Sequence, residues 1–81
     1  MANEEQANEA RRQHGRTLLA KGAHAVGVEE GRHYGKKGFV VVAHIAPQQQ
    51  SDIPSSLTCS TKEGEVEVPV VVERDEPFTP D

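Results

Sequence analysis

The stretch EVEVPVVVE at residues 65–73 decides the fold, because valine recurs along it at every second position. Every even-numbered residue from 66 to 72 is valine, and only Val71 breaks the alternation with glutamate and proline. Successive side chains of a strand point to opposite faces of a sheet, so this spacing predicts a half-buried strand. Pro69 removes one backbone donor, which favours an edge strand or a bulge at that point.

Two further valine-rich runs, HAVGV at residues 24–28 and FVVVAHI at residues 39–45, supply partner strands for this sheet. The segment between them, EGRHYGKKG at residues 30–38, contains three glycines. Glycine-rich segments of this length join the two strands of a hairpin. The sequence therefore predicts a β-hairpin over residues 23–45.

The register of this hairpin follows if the loop closes symmetrically about Tyr34. Because residues two apart share a face, a slip of one residue would move every side chain to the opposite face. The predicted cross-strand pairs are Val28 with Val40, Val26 with Val42, and His24 with His44. This register places one apolar face on the even-numbered residues of both strands.

The first twenty residues predict a helix that packs on the sheet. Asn3 is a suitable N-cap, with Gln6 three positions later and acidic residues between them, and Gly22 fits the end of the helix. We expect an α+β fold, with an N-terminal helix packed on a small three-stranded sheet that contains the 23–45 hairpin. Residues 1–10 are predicted to form an acidic, frayed N-terminus, residues 11–74 the single domain, and residues 75–81 a flexible tail.

The composition limits how much core this domain can have. Val, Leu, Ile and Phe account for 17 of the 81 residues, and a core this small supplies only about 3–5 kcal/mol, so a partner would add needed stability. Cys59 is the single cysteine, which excludes an internal disulfide. No apolar stretch approaches the ~20 residues that span a bilayer, and the N-terminus does not resemble a signal peptide. We therefore expect a cytoplasmic protein without a membrane segment.

Charge is unevenly distributed along the chain. Residues 11–37 carry seven basic and two acidic residues, whereas the remainder carries two basic and eleven acidic residues. The basic centre includes a hairpin tip that could contact phosphates, with a tyrosine that could stack on a base. This basic tip consists of Arg32, His33, Tyr34, Lys36 and Lys37. The acidic third strand would repel a nucleic-acid backbone, so a solvated turn is the favoured interpretation.

His24 and His44 form a candidate metal site, because the predicted register makes them direct cross-strand neighbours. Opposed residues have Cβ atoms ~5 Å apart, which lets two imidazoles share a metal ion. A zinc site needs at least a third protein ligand, which Cys59, His14 or a glutamate would have to supply. The alternative is that both histidines close the end of the apolar face without a metal, and we expect no cofactor.

The sequence gives little support for catalysis, and protein contact is the favoured function. Cys59 has no visible activating base, and the chain lacks a nucleophile elbow, a phosphate-binding glycine loop and a His-Glu-x-x-His motif. One short helix covers only one face of a sheet, so the other face should be an exposed apolar interaction surface. That predicted surface consists of Phe39, Val41, Ile45 and Val71. We expect a non-enzymatic interaction or accessory module that forms a homo-oligomer, or binds another chain, through this face or a sheet edge.

The order of these runs resembles a known family. Residues 22–28, 38–45, 53–57 and 66–73 follow one another as in the small α/β domain that precedes trypsin-like peptidase domains in some bacterial and plant proteins. The resemblance covers residues 17–74 and implies an accessory domain. The chain ends where that family's peptidase would begin, so no catalytic residue of such a peptidase carries over to this sequence.

Overall fold

A computed structural model describes residues 2–48, 52–62 and 64–75 of the chain. These residues form one α-helix, one short 3₁₀ helix and four strands. The elements are α1 (Glu4–Ala20), β1 (Ala23–Glu30), the 3₁₀ helix (Gly31–Tyr34), β2 (Phe39–Ile45), β3 (Ser56–Thr61) and β4 (Gly64–Arg74). The fold is therefore α+β, as predicted. Residues 76–81, which belong to the predicted tail, lie outside the described residues.

The four strands form a mixed sheet in the order β1-β2-β4-β3. β1 and β2 form the expected antiparallel hairpin, β4 runs parallel to β2, and β3 pairs antiparallel with β4. The prediction of three strands missed β3, whose sequence SLTCST has only two apolar residues, Leu57 and Cys59. Both are buried, and they alternate with exposed or half-buried polar residues.

β4 is an interior strand, and Pro69 marks the point where its partner changes. Its first half pairs with β3 as far as Pro69, and its second half pairs with β2 from Val70 onward. The missing N–H of a proline is tolerated where a ladder begins or ends. The start of β2 has no pairing with β4 and instead lies beside the N-terminal segment. The Phe39 N–H donates to the Ala2 carbonyl at 2.8 Å.

The predicted hairpin register is wrong by one residue. Val28 lies opposite Val41, and Val26 lies opposite Ala43. The turn closes through a hydrogen bond from the Gly31 N–H to the Gly38 carbonyl at 2.7 Å, so its centre lies half a residue beyond Tyr34. A β-bulge between Ala23 and Ala25 then shifts the pairing back by one residue at the far end of the hairpin. There Ala23 lies opposite Ile45, as the predicted register requires.

This register reverses the faces of the sheet. The helix face, on which α1 packs, carries Val41, Ala43 and Ile45 of β2, and the opposite or outer face carries Val40 and Val42. The predicted exposure of the interaction surface is therefore wrong for Val41 and Ile45, which are both 0% exposed in the core. Phe39 is half-buried against the same core, and Val71 is half-buried on the outer face.

Helix α1 begins as predicted, and its first turn is capped at Asn3. The Asn3 side chain accepts a hydrogen bond from the Gln6 N–H at 2.7 Å, and the Gln6 side chain accepts one from the Asn3 N–H at 3.0 Å. This capping box satisfies two backbone donors that the first turn leaves free. Ala7 and Ala10 are completely buried against the sheet, so the first turns of the helix belong to the core.

Candidate functional site

The outer edge of β1, called the open edge below, presents backbone groups that no other described strand partners. Hydrogen-bonded and non-bonded pairs alternate along an antiparallel ladder, and Gly31 bonds to Gly38 one step beyond the end of β1. Odd-numbered residues of β1 therefore direct their N–H and C=O groups to β2, and Val26 and Val28 direct theirs outward. β1 is the first strand of the sheet, so no strand pairs with these groups in the ranges that the structure describes.

The outer edge of β3, called the covered edge below, is occupied by side chains of α1. The Val70 N–H donates to the Ser55 carbonyl, so even-numbered residues of β3 direct their backbone groups away from β4. The Gln13 amide binds both the carbonyl and the N–H of Ser60, at 3.2 and 3.4 Å. His14 Nε2 lies 2.7 Å from the Thr58 carbonyl. Two neighbouring residues of α1 thereby bind outward backbone groups of both Thr58 and Ser60.

The Gln13 side chain is itself held in place by a neighbouring carboxylate. Gln13 Nε2 donates to Glu9 Oε1 at 3.1 Å, and Arg12 forms an ion pair with the same glutamate. The hydrogen bond from Arg12, followed by that from Gln13, lowers the pKa of Glu9 to about 2. The carboxylate is therefore charged at neutral pH and fixes the amide that covers Ser60.

Tyr34 closes the outer face of the sheet rather than extending from the hairpin tip. Its hydroxyl donates to Glu29 Oε2 at 2.7 Å, and Glu29 lies on the outer face opposite Val40. This hydrogen bond, burial, and the negative charges of Glu29 and Glu73 raise the pKa of the phenol well above its ordinary value. Because those carboxylates stand on strands to either side of β2, the Tyr34 side chain crosses β2 near the buried Val40 and Val42.

The basic tip therefore does not present the combination of basic and stacking groups that the nucleic-acid alternative requires. Tyr34 is turned back onto the sheet, where its hydroxyl is bonded to Glu29. Arg32 Nε forms an ion pair with Glu30 at 2.7 Å. His33, Lys36 and Lys37 are exposed, which leaves a charged turn without its stacking aromatic.

His24 and His44 are brought together, although not as a direct cross-strand pair. His44 lies opposite Ala25, and His24 occupies the bulge beside it, with 6.2 Å between the ring centroids. Asp75, directly after β4, binds both rings: its carboxylate lies 3.2 Å from His24 Nε2 and 2.8 Å from His44 Nδ1. Since a carboxylate only accepts, both of these ring nitrogens carry the hydrogen. No local sequence pattern identifies Asp75, because its approach to the histidines depends on the parallel pairing of β4 with β2.

In the described residues, His24, His44 and Asp75 do not form a metal centre, and Cys59 is not an activated thiol. In residues 2–48, 52–62 and 64–75, no group of three or more His, Cys, Asp or Glu side chains is placed to hold a metal ion. The predicted metal pair thus has no complete ligand set in that part of the chain. Cys59 is buried on the helix face, where desolvation raises the pKa of its thiol and disfavours the reactive thiolate.

Comparisons with known proteins do not place this chain in a family. No family model, no curated protein and no solved structure matches it. The resemblance to the accessory domain of trypsin-like peptidases therefore stays a prediction. Among the described residues, no helix is long and apolar enough to cross a membrane.

Proposed function

We propose that this chain is a non-enzymatic protein-interaction module that adds a strand of another polypeptide to its open edge. The observation that carries the proposal is that no described residue partners the outward backbone groups of Val26 and Val28. Extended peptides bind exposed sheet edges through such groups, and side chains of alternating residues give the specificity. The proposal places the module in the cytoplasm, which the buried, unpaired thiol of Cys59 supports.

The side chains along the open edge favour strand addition. β1 is eight residues long and contains no proline or lysine. Proteins protect edge strands with short length, proline, bulges and charged side chains, above all lysine. In β1 the acidic residues, Glu29 and Glu30, lie at one end only. The bulge at His24 disturbs one end of β1 only, so residues 25–30 remain a regular ladder. Val26 and Val28 are half-buried on the helix face, and an added strand would cover their exposed sides.

The experiment uses a capped peptide with the sequence of residues 23–30 as the added strand. It is titrated into the isotopically labelled full chain while backbone amide resonances are recorded. We expect shifts concentrated on β1, with slowed exchange of the Val26 and Val28 amides. The chain variant Val28→Pro removes one outward donor and should abolish the response. Thr58→Pro, at an outward position of the covered edge, is the matched control and should leave the response intact.

Two results would contradict the proposal. In the first, the peptide leaves all β1 amides unchanged and the full chain shows no association through β1. In the second, Val28→Pro and Thr58→Pro weaken the response equally, because the open edge would then have no special role.

A further inference from the structure

We infer that the strand added at the open edge is β1 of a second copy, paired antiparallel with Gly27 on the two-fold axis. The inference rests on the proposed function and specifies its partner, orientation and register. The resulting dimer would have one continuous eight-stranded sheet, in the order β3-β4-β2-β1 followed by its mirror sequence in the partner. Both copies of α1 would lie on the same face of that sheet.

The charge distribution of β1 selects the antiparallel orientation. Glu29 and Glu30 stand at one end of the strand, and His24 stands near the other. Parallel pairing of two copies would bring the acidic ends together, and like charges directly opposite each other destabilise a sheet. Antiparallel pairing places the acidic end of each copy beside the histidine end of the other.

The outward backbone groups limit the register. Only Val26, Val28 and Glu30 direct N–H and C=O groups outward within the regular part of β1. A two-fold axis at Gly27 makes Val26 of one copy and Val28 of the other a hydrogen-bonded pair, and brings Glu30 beside the bulge that contains His24. A two-fold axis at Val28 would instead place Glu30 opposite Val26, which sets a charge against an apolar side chain. The first register is the better match, because it pairs valine with valine and brings Glu30 close to a histidine.

Gly27 supplies an independent reason for this register. A glycine inside a strand weakens it and often marks a close approach of another backbone. Gly27 does not have a positive φ, so its conformation does not require glycine. A Cβ at this position would have nothing within 4 Å, so packing inside the chain does not require glycine either. The proposed two-fold axis brings a second backbone to this position, where non-bonded pairs have Cα atoms about 4.5 Å apart.

The test is disulfide trapping with single cysteines on the outer face, in a Cys59→Ala background and repeated with the buried native Cys59. The Cα separation expected at the two-fold axis suits a disulfide, which needs about 4.4–6.8 Å. Gly27→Cys should therefore form a cross-linked dimer under mild oxidation. In this register residue 25 lies opposite residue 29, so residue 25 of one copy is roughly 13 Å along the strand from residue 25 of the other. Ala25→Cys alone and Glu29→Cys alone should stay uncross-linked, whereas their mixture should form heterodimers.

The two experiments together distinguish a wrong register, a wrong partner and the absence of strand addition. Cross-linking of Ala25→Cys or Glu29→Cys alone, at a rate equal to that of Gly27→Cys, overturns the register. Failure of every cysteine combination, with the peptide still bound at β1, overturns the second copy as partner and leaves strand addition standing. Failure of both experiments overturns both proposals. If Gly27→Cys does not fold, as judged by circular dichroism, the mixture of the other two variants tests the same register.

Discussion

The two edge strands of this sheet, β1 and β3, differ in their contacts with α1. On the covered edge, Gln13 and His14 bind the outward backbone groups of Ser60 and Thr58. On the open edge, α1 packs on the helix face beside Val26 and Val28, and their outward groups have no partner in the described residues. The covered edge shows that side chains of α1 can occupy the outward backbone groups of an edge strand in this fold. In the described residues no side chain binds the outward groups of β1, and the proposed strand addition rests on this difference.

The largest effect is expected from proline substitutions that separate inward from outward groups of β1. Gly27→Pro removes a donor to β2 and should cost about 3 kcal/mol of unfolding free energy or more. Val28→Pro removes an outward donor, so we expect a loss of only about 1 kcal/mol, from packing on the helix face. Urea denaturation measures both values. Equal losses would mean that the assignment of inward and outward groups is wrong.

The turn that attaches β1 to β2 should be the next most sensitive position. A Cβ at Gly31 would lie 2.9 Å from the backbone oxygens of both Gly38 and Lys36. Gly31→Ala should therefore cost about 2 kcal/mol through displacement of the backbone. Gly15→Ala is the control, because a Cβ there meets nothing within 4 Å and the helix should gain about 0.5–1 kcal/mol. A stable Gly31→Ala variant, measured by thermal unfolding, would show that the turn does not constrain β1.

A smaller effect on stability is expected when the covered edge is uncovered. Gln13→Ala together with His14→Ala removes the side chains that bind Ser60 and Thr58, at a cost of about 1–2 kcal/mol. The double variant should also self-associate more strongly than the parent chain, because a second edge becomes available for pairing. Sedimentation velocity reports the association. Unchanged association of a folded double variant would show that these side chains do not protect the edge.

Acidification should loosen the covered edge through protonation of Glu9. The pKa of Glu9 is lowered from 4.5 to about 2, so its contribution to stability is complete above pH 4.5 and is lost as the pH falls towards 2. Protonation of Glu9 weakens its bonds to Arg12 and Gln13, and the Ser60 amide should respond. In NMR spectra, the Gln13 side-chain amide and the Ser60 amide should titrate in this range, and Glu9→Gln should remove the titration. A response centred on Val26 instead would contradict this coupling.

The sequence predicted elements well where local chemistry determines them. The Asn3–Gln6 capping box, the hairpin and the valine strand β4 follow from short-range patterns, and all three are present. The register was wrong because it depends on the turn, which closes through Gly31 and Gly38 rather than symmetrically about Tyr34. This shift of one residue exchanged the two faces of β2, so that Val41 and Ile45 of the predicted interaction surface lie in the core.

The candidate site was only partly accessible from sequence for the same reason. His24 and His44 are neighbours because a bulge compensates for the register, and their contact with Asp75 requires the non-local pairing of β2 with β4. β3 was missed because two buried residues, Leu57 and Cys59, are too few to establish alternation. Which edge is covered depends on where α1 crosses the sheet, and no pattern in the helix sequence specifies that position.

Residue-resolved hydrogen exchange along β1 distinguishes an open edge that binds a second copy from an edge that is covered within one chain. At low protein concentration, the amides of Gly27 and Glu29 should be protected by β2, whereas those of Val26 and Val28 should exchange rapidly. As the concentration rises, Val26 and Val28 should become protected while Gly27 and Glu29 change little. Strong protection of Val26 and Val28 in dilute solution would contradict the account, because the edge would already be covered within one chain. Rapid exchange of both amides at every concentration would equally contradict it, because the edge would then bind no second copy.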